Sequence, residues 1–311
     1  MSEFYHVSVL LDECIDGLNI RPDGIYVDGT LGGAGHSSQI AARLTTGRLI
    51  GIDRDPVALK AASQRLAPYS DRVTLVHSNF CEIASVLKDL NIAGVDGILL
   101  DLGVSSPQLD DGQRGFSYMA DAPLDMRMNN EDALSAEQVV NTWSQDELKR
   151  ILYDYGEERY APQIAAAICR RRAEKPIETT LELVDVIRSA MPAAALREKQ
   201  HPAKRSFQAI RIAVNDELGA VEKVMKDAVD CLNPGGRLAI ITFHSLEDRI
   251  VKNGMATASK GCTCPPNFPV CVCGKTPRVK LISRKPIVSG EEELERNPRA
   301  RSAKLRVCEK L

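Results

Sequence analysis

Short apolar, β-rich runs alternate with segments of helical periodicity over the first hundred residues of the chain. Runs with the length and composition of buried strands lie at residues 24–30, 48–53, 73–76 and 95–101. Helical patterns separate these runs, notably at residues 37–44 and 56–66. Because strands and helices alternate, the pattern predicts an α/β fold with a doubly wound, mainly parallel sheet.

A second strand-forming region appears late in the chain. Residues 207–225 place apolar side chains on one helical face, residues 233–236 predict a turn, and residues 237–243 predict a buried strand. The sheet therefore resumes in the last third of the chain.

The region between these two parts has helical rather than strand-like patterns. Three capping-box sequences begin there, at Ser135, Ser144 and Thr179. The prediction is a sheet domain formed by residues 1–106 and 205–311, with a helical domain of residues 107–204 inserted into it.

Composition limits the classes of protein that the chain can represent. The 311 residues are 44% hydrophobic, enough to bury one large core or two smaller ones. Apolar runs such as residues 238–241 are far shorter than the roughly 20 residues of a membrane-spanning helix. Residues 1–6 lack the basic and apolar stretches of a signal peptide. We expect a cytoplasmic protein with no membrane partner.

Charge is distributed unevenly along the chain. Residues 1–196 carry 18 basic and 29 acidic side chains, whereas residues 197–311 carry 22 basic and 13 acidic ones. The basic excess favours contact with a polyanion, although many soluble proteins that bind none are also unevenly charged.

A glycine-containing segment, residues 28–37, follows the first predicted strand and opens the first predicted helix. Glycines let the backbone approach a ligand, and the helix offers its free amides. Asp53 ends the second predicted strand, where a carboxylate can accept hydrogen bonds from both hydroxyls of a ribose. These features predict a nucleotide-like cofactor; capping of the helix that starts near Pro56 is the alternative role for Asp53.

The sequence of this loop also helps to distinguish between two classes of cofactor. Its glycine spacing at residues 32–35 does not fit the G-x-G-x-x-G pattern of nicotinamide dehydrogenases, and Asp28 would repel a pyrophosphate. A cationic sulfonium would not be repelled, so the loop favours methyl transfer. Phe80 could flank an adenine or pack in the core, while Asp101 ends the fourth predicted strand facing the cofactor.

Ser106 and Pro107 follow that fourth strand, at the sheet edge where ligands bind. An amine conjugated with a base ring is a poor nucleophile and needs acceptors that pull it toward tetrahedral geometry. The Ser106 hydroxyl and a carbonyl fixed by Pro107 can do this. The pair forms half of the Asp/Asn/Ser-Pro-Pro-aromatic motif of amino-group methyltransferases, with Gln108 replacing the second proline; a plain Ser-Pro turn is the alternative.

Seven segments that span nearly the whole chain resemble the MraW/RsmH family, at residues 28–37, 101–111, 114–117, 123–128, 155–159, 243–249 and 297–302. The resemblance implies S-adenosylmethionine-dependent methylation of the N4 amine of a cytidine in the decoding region of 16S rRNA, within the small ribosomal subunit. It also implies S-adenosylmethionine contacts at Ala34, Gly35, His36, Asp53, Phe80, Asp101 and Gln108. We therefore expect a class I S-adenosylmethionine-dependent methyltransferase fold, which is Rossmann-like, with an inserted helical domain that recognises the substrate.

Other side chains are hypothesised to form the catalytic pocket. Because the methyl group is already activated on sulfur, alignment of the reacting atoms rather than a covalent nucleophile would supply the catalysis. Phe116 or Tyr118 could stack on an extruded cytosine, and Asp125, Arg127 and His244 could shape its pocket. Core packing is the alternative for Phe116, and a structural role is the alternative for His244.

Basic side chains open the predicted helix of the last third. Lys204, Arg205 and Arg211 would place positive charge where RNA phosphates could be bound. Each of them could instead be an ordinary surface charge.

Four of the nine cysteines, Cys262, Cys264, Cys271 and Cys273, lie within twelve residues and form two C-x-C units. In a reducing compartment this pattern indicates a tetrahedral thiolate site, for which structural zinc is the natural ion. The spacing is tighter than that of the usual C-x-x-C unit, so reduced thiols without metal remain the alternative.

Three other functions compete with this hypothesis. A nicotinamide oxidoreductase would require a phosphate-binding glycine pattern that the loop lacks. A non-catalytic RNA-binding assembly protein would retain the cofactor pocket without turnover, and a methyltransferase could act on DNA or a small molecule. The sequence leaves open whether the protein is a monomer or a homodimer.

Overall fold

The structure is a computed structural model that describes residues 8–105, 108–109, 111–262, 264–265, 268–270 and 272–311. Internal contacts divide the chain into two compact units. The larger unit comprises Met1–Gly103 and Leu218–Leu311, and the smaller unit comprises Val104–Glu217. Among the described residues, no helix combines the length and the apolar character needed to cross a lipid bilayer.

The larger unit is built on a seven-stranded sheet with the strand order β3-β2-β1-β4-β5-β7-β6. Its strands are β1 (Ile25–Asp28), β2 (Arg48–Asp53), β3 (Val73–His77), β4 (Val95–Asp101), β5 (Leu232–Thr242), β6 (Val279–Leu281) and β7 (Lys304–Lys310). The first five strands are parallel, whereas β7 runs antiparallel to both of its neighbours. This order confirms the predicted doubly wound, Rossmann-like fold class.

The helices of the described residues connect these strands and form the smaller unit. They are α1 (Leu11–Leu18), α2 (Gly35–Arg43), α3 (Pro56–Arg65), α4 (Ile83–Asp89), α5 (Ala136–Thr142), α6 (Gln145–Asp154), α7 (Ala161–Glu174), α8 (Thr180–Ser189), α9 (Lys204–Asn215), α10 (Glu217–Cys231), α11 (Ser245–Ser259) and α12 (Glu291–Arg296).

Helices cover both faces of the sheet. Successive side chains of a strand point to opposite faces, so Leu99 packs in the layer of α1, α2 and α3, while Ile98 packs in the layer of α4, α10 and α11. Burial on both faces explains why the strands appear in the sequence as nearly continuous apolar runs.

The strand order reverses between β1 and β4. The chain moves outward from β1 through β2 to β3 and then returns to place β4 on the other side of β1. In sheets of this type the crevice at such a reversal, beyond the carboxyl ends of the strands, is where ligands bind. The residues that follow β1, β2 and β4 therefore define the candidate site.

The smaller unit packs helices α5 to α9 around its own apolar cluster, which includes Leu148, Ile164 and Leu183. All three predicted capping boxes are confirmed, with reciprocal hydrogen bonds at the starts of α5, α6 and α8. This unit ends at Glu217, whereas the predicted helical domain ends at residue 204. The difference arises because Phe207 and Ile210 of α9 face the cluster of the smaller unit.

Two local predictions need correction. The helix predicted over residues 207–225 is interrupted at Asp216, whose left-handed backbone (φ 47°, ψ 44°) ends α9 before α10 begins. A right-handed helix cannot continue through such a residue. The turn predicted at residues 233–236 lies inside β5 as an irregularity, since Val95 pairs with Leu232 and Gly97 pairs with Arg237.

Candidate functional site

The glycine-containing loop joins β1 to α2 through a sharp turn. Gly32 and Ala34 have left-handed backbones, with φ of 48° and 56°, and the Ala34 N–H donates to the Leu31 carbonyl at 2.7 Å. A Cβ on Gly35 would lie 1.8 Å from Ser8 Oγ, so a larger residue where α2 begins would force the Ser8 side chain to move. The turn presents the amino end of α2 at the sheet edge, where free N–H groups can meet a ligand.

Asp53 ends β2 and is hydrogen-bonded to this loop. Its carboxylate accepts hydrogen bonds from the N–H of Gly32 at 2.7 Å and from the N–H of Asp55 at 2.8 Å. Burial raises the pKa of Asp53 to about 6, although both hydrogen bonds oppose the shift. Asp55, whose carboxylate accepts from the Val57 N–H, is the N-cap of α3. Because a carboxylate has about four acceptor positions, Asp53 keeps capacity for the hydroxyls of a ligand.

Two further carboxylates end the neighbouring strands β1 and β4. Asp28 is buried and accepts hydrogen bonds from Ser37 Oγ at 2.7 Å and from the Thr30 N–H at 3.2 Å. Burial raises the pKa of Asp28 to about 6 despite these bonds. Burial, reinforced by the negative charges of Asp28 and Glu247, raises the pKa of Asp101 to about 8. This edge of the sheet therefore favours a positively charged ligand group.

Asp101 also presents an acceptor that the described residues do not satisfy. Its Oδ1 is buried and has no hydrogen-bond partner among them, while its Oδ2 lies 3.8 Å from His36 Nδ1. His36 is oriented by Val9, whose carbonyl oxygen lies 3.0 Å from Nε2. Leaving a buried acceptor unpaired costs about 1–3 kcal/mol, so this geometry favours a ligand that brings a donor.

Phe80 follows β3 and lies against the same loop. A Cβ on Gly29 would lie 3.0 Å from the Cβ of Phe80, and the half-buried ring also packs against the apolar layer that contains Ile83. The structure thus brings six predicted cofactor-site residues to one edge of the sheet in the larger unit: Ala34, Gly35, His36, Asp53, Phe80 and Asp101.

Gln108, the seventh predicted cofactor residue, belongs to the smaller unit. Its buried side chain accepts a hydrogen bond from the Ser105 N–H at 3.0 Å, and its own N–H donates to Ser105 Oγ at 3.4 Å. These two bonds fix the start of the segment that follows β4. Ser106 and Pro107 lie outside the described residues.

Asp125 and Arg127 form a closed pair within the smaller unit. Arg127 donates from Nε and Nη2 to the two oxygens of Asp125, each at 2.8 Å. Burial disfavours the charged carboxylate, but the hydrogen bonds from Arg127 outweigh it and hold the pKa of Asp125 below its usual value. Asn215 fixes the same loop, since its amide donates to the Met126 carbonyl and accepts from the Met128 N–H, both at 2.8 Å. These bonds fix both side chains of the pair within the smaller unit.

His244 follows β5 and is the N-cap of α11. Its Nδ1 accepts from the Glu247 N–H at 3.4 Å, and the Glu247 carboxylate accepts from the N–H groups of His244 and Phe243. Its Nε2 lies 3.0 Å from Glu247 Oε1. The structure thus gives His244 the structural role that the sequence left as an alternative, and its part in a pocket stays a proposal.

Phe116 requires a correction. Its side chain is 6% exposed and packs in the apolar cluster of the smaller unit with Leu124 and Met126. A ring enclosed in this way presents no open face to a base, so the structure assigns Phe116 to core packing. Tyr118, which is more exposed, stacks on His201 with a centroid distance of 4.6 Å.

The three predicted RNA-binding cations of α9 differ in their surroundings. Lys204 is exposed at the start of the helix, and Arg205 donates to the Glu157 carbonyl at 3.1 Å. Arg211 instead makes two hydrogen bonds of 2.8 and 2.9 Å to the buried carboxylate of Glu217. Lys204 and Arg205 are therefore better placed than Arg211 to meet a phosphate.

The sulfur atoms of Cys262, Cys264 and Cys273 lie within 4.8 Å of one another. Cys271, the fourth predicted ligand, lies outside the described residues.

Three residues that position side chains of the candidate site were not predicted from the sequence. Thr30 Oγ1 accepts from the Asp101 N–H at 2.5 Å, Ser37 donates to Asp28, and Asn215 holds the loop of Asp125. Two features of the sequence could have indicated these roles. Thr30 and Ser37 are hydroxyl residues within the glycine-containing segment, and Asn215 is an amide residue next to the apolar face of α9.

Known proteins resemble this chain over nearly its whole length. A family model described as the MraW methylase family matches residues 3–311. A protein of Brevibacillus brevis named ribosomal RNA small subunit methyltransferase H is 62% identical over 309 residues, which cover 99% of this chain and 98% of that protein. Proteins of the same name from Heliobacterium modesticaldum and Clostridium botulinum are 58% and 59% identical over 310 residues; 99% of this chain and 99% and 100% of those proteins are covered.

Proposed function

Because the chain belongs to the MraW methylase family, we propose that it methylates the exocyclic N4 amine of a cytidine in the decoding region of 16S rRNA, with S-adenosylmethionine as the methyl donor. The chain is a methyltransferase. The observation that carries the proposed substrate is its full-length likeness, at 58–62% identity, to proteins named for methylation of small-subunit ribosomal RNA.

The residues at the sheet edge fit S-adenosylmethionine. Bound there, this cofactor supplies a methyl group activated on a positively charged sulfur. Asp53 would accept the ribose hydroxyls, the unpaired Oδ1 of Asp101 would accept a donor, and Phe80 would flank the adenine. Ala34, Gly35 and His36 would approach the ligand at the start of α2, and Gln108 would contribute from the segment after β4.

Electrostatics favour this cofactor over a dinucleotide. Asp28, Asp53 and Asp101 bring three carboxylates to one edge, and in their ionised forms they would repel a pyrophosphate placed there. A sulfonium and an ammonium group would instead be attracted, and their positive charge would favour the ionised carboxylates.

Methyl transfer to an amine requires acceptors that hold the amine hydrogens. We assign this role to the Ser106 hydroxyl and to a carbonyl fixed by Pro107. Asp125 and Arg127 would shape the base pocket through their ion pair, and His244 would line it as well. Catalysis would then depend mainly on alignment, an effect of about 7–11 kcal/mol in well-oriented systems.

The smaller unit is proposed to recognise the RNA. The exposed Lys204 and the adjacent Arg205 would contact phosphates, and such contacts weaken as salt is raised. A substrate in the small ribosomal subunit would also be consistent with the expected cytoplasmic location.

The proposal is tested by following a labelled methyl group from S-adenosylmethionine into purified small subunits, free 16S rRNA and DNA, with nucleosides identified by mass spectrometry. Label in N4-methylcytidine from small subunits or 16S rRNA is expected. Label in another nucleoside or only in DNA would overturn the substrate assignment. Cofactor binding without label in any acceptor would favour a non-catalytic assembly protein.

A further inference from the structure

The loop that joins α11 to β6 carries a cluster of sulfur atoms that methyl transfer does not use. We propose that Cys262, Cys264 and Cys273 bind a zinc ion that holds this loop in its folded form. Three observations support this site: the spacing of the sulfurs, a hydrogen bond to one of them and the high exposure of the apolar side chains among the described residues of the loop.

The spacing of the sulfurs fits a tetrahedral thiolate site. With Zn–S bonds of about 2.3 Å, two ligands of a tetrahedron lie about 3.8 Å apart. The Sγ atoms of Cys262 and Cys273 are 3.8 Å apart, and Cys264 Sγ lies within 4.8 Å of both. A disulfide would require about 2.0 Å between two sulfurs. The three sulfurs thus surround a position that one zinc ion can occupy with small adjustments.

A backbone hydrogen bond supports a charged thiolate at Cys262. The N–H of Cys264 points to Cys262 Sγ at a donor–acceptor distance of 3.3 Å. Such a bond stabilises the deprotonated sulfur that a metal requires and fixes its direction. The C-x-C unit is therefore arranged as a ligand pair.

The described part of the loop has little apolar burial to hold it. Phe268, Val270 and Val272 are 52%, 69% and 73% exposed. At the base of the loop, the Arg278 N–H donates to the Ala258 carbonyl at 2.8 Å. Chain segments too short to form a core are commonly stabilised by metals or disulfides, and a metal is expected in a reducing compartment.

The charge near the three sulfurs and the number of ligands that zinc requires also bear on the site. Thiolates around a divalent ion leave a net negative charge, and Lys260 and Lys275, each two residues from a ligand, supply nearby positive charge. A closed structural site also requires a fourth ligand, which the three described sulfurs leave to another group or to water.

The test measures metal content and thiolate coordination in the full-length chain, not activity. The chain is purified in reductant, and its zinc is counted by mass spectrometry; we expect about one ion per chain. Replacing zinc with Co²⁺ should give the sulfur-to-cobalt charge-transfer absorption of thiolate ligands. Cys262→Ser, Cys264→Ser and Cys273→Ser should each weaken zinc binding at least tenfold. Cys169→Ser, which alters a half-buried cysteine of α7, should not.

A measurement on the unaltered chain guards against variants that misfold. A thiol-modifying reagent should release zinc to a chromophoric chelator in step with the loss of protected thiols. The proposal is overturned if the chain takes up no zinc, if cobalt shows no thiolate absorption, or if the three serine variants keep wild-type zinc. A Cys262–Cys273 disulfide found in place of metal would overturn it in favour of a redox pair. Each result is independent of methyl transfer.

Discussion

At the residue scale, Asp53 offers the most direct test of the cofactor site. Asp53→Asn keeps an oxygen for the Gly32 N–H but removes the charge and half of the acceptor capacity. Hydrogen bonds to charged groups contribute about 1.5–3 kcal/mol, so the affinity for S-adenosylmethionine should fall about tenfold or more. Calorimetric titration measures this change, with Asp71→Asn at an exposed carboxylate as the control. Unchanged affinity would remove Asp53 from the ribose-binding role.

The raised pKa of Asp101 predicts that the free energy of unfolding depends on pH. Burial raises its pKa from the usual 3.8 to about 8, so the folded chain retains a proton that the unfolded chain has released. Its contribution to stability is therefore present at low pH and is lost as pH rises from about 4 to about 8. Asp28 and Asp53 have pKa values of about 6, so the range above pH 6 reports mainly on Asp101.

The corresponding variant is Asp101→Asn, which cannot titrate. Between about pH 6 and about pH 8.5, the free energy of unfolding of the ligand-free wild type should decrease more than that of the variant. Urea unfolding at several pH values measures both slopes. Parallel slopes would mean that Asp101 is already ionised in the ligand-free protein.

At the scale of elements, the start of α6 depends on one hydroxyl. Ser144 Oγ accepts from the Glu147 N–H at 3.2 Å, while the Glu147 carboxylate accepts from the Ser144 N–H at 2.8 Å. Ser144→Ala should reduce the free energy of unfolding by about 1 kcal/mol, because the first turn loses its cap. Ser144→Asp, which restores an acceptor, should recover most of this in the same urea titration. A loss of stability shared equally by both variants would point to packing instead.

At the scale of the whole molecule, the two units differ in how the chain builds them. The smaller unit is one continuous segment with its own apolar cluster, whereas the sheet of the larger unit pairs β4 from one segment with β5 from another. Residues 104–217 expressed alone should therefore show helical circular dichroism and cooperative urea unfolding. Residues 1–103 alone should not, because β4 loses its β5 partner. A non-cooperative transition for residues 104–217 would show that its helices depend on the remainder of the chain.

Much of the fold could be predicted because its signals are local. The apolar runs gave four of the parallel strands to within two residues at each end, and the three capping boxes marked helix starts that the structure confirms. The glycine-containing loop and Asp53 were predictable for the same reason, since a strand end, a tight turn and a helix start lie within a few residues of one another.

Beyond such local contacts, the tertiary structure decided which side chains are buried and which groups they meet. It buried Phe116, paired Arg211 with Glu217, broke the long helix at Asp216 and left Asp101 Oδ1 without a partner among the described residues. These outcomes depend on burial and on groups brought close by folding, which no local pattern contains.

The sequence by itself determined the order of elements and the residue types at the sheet edge, because propensity, capping and periodicity act over a few residues. Only the folded chain determined their pKa values and contacts, because desolvation and hydrogen bonding depend on neighbours that are distant in sequence.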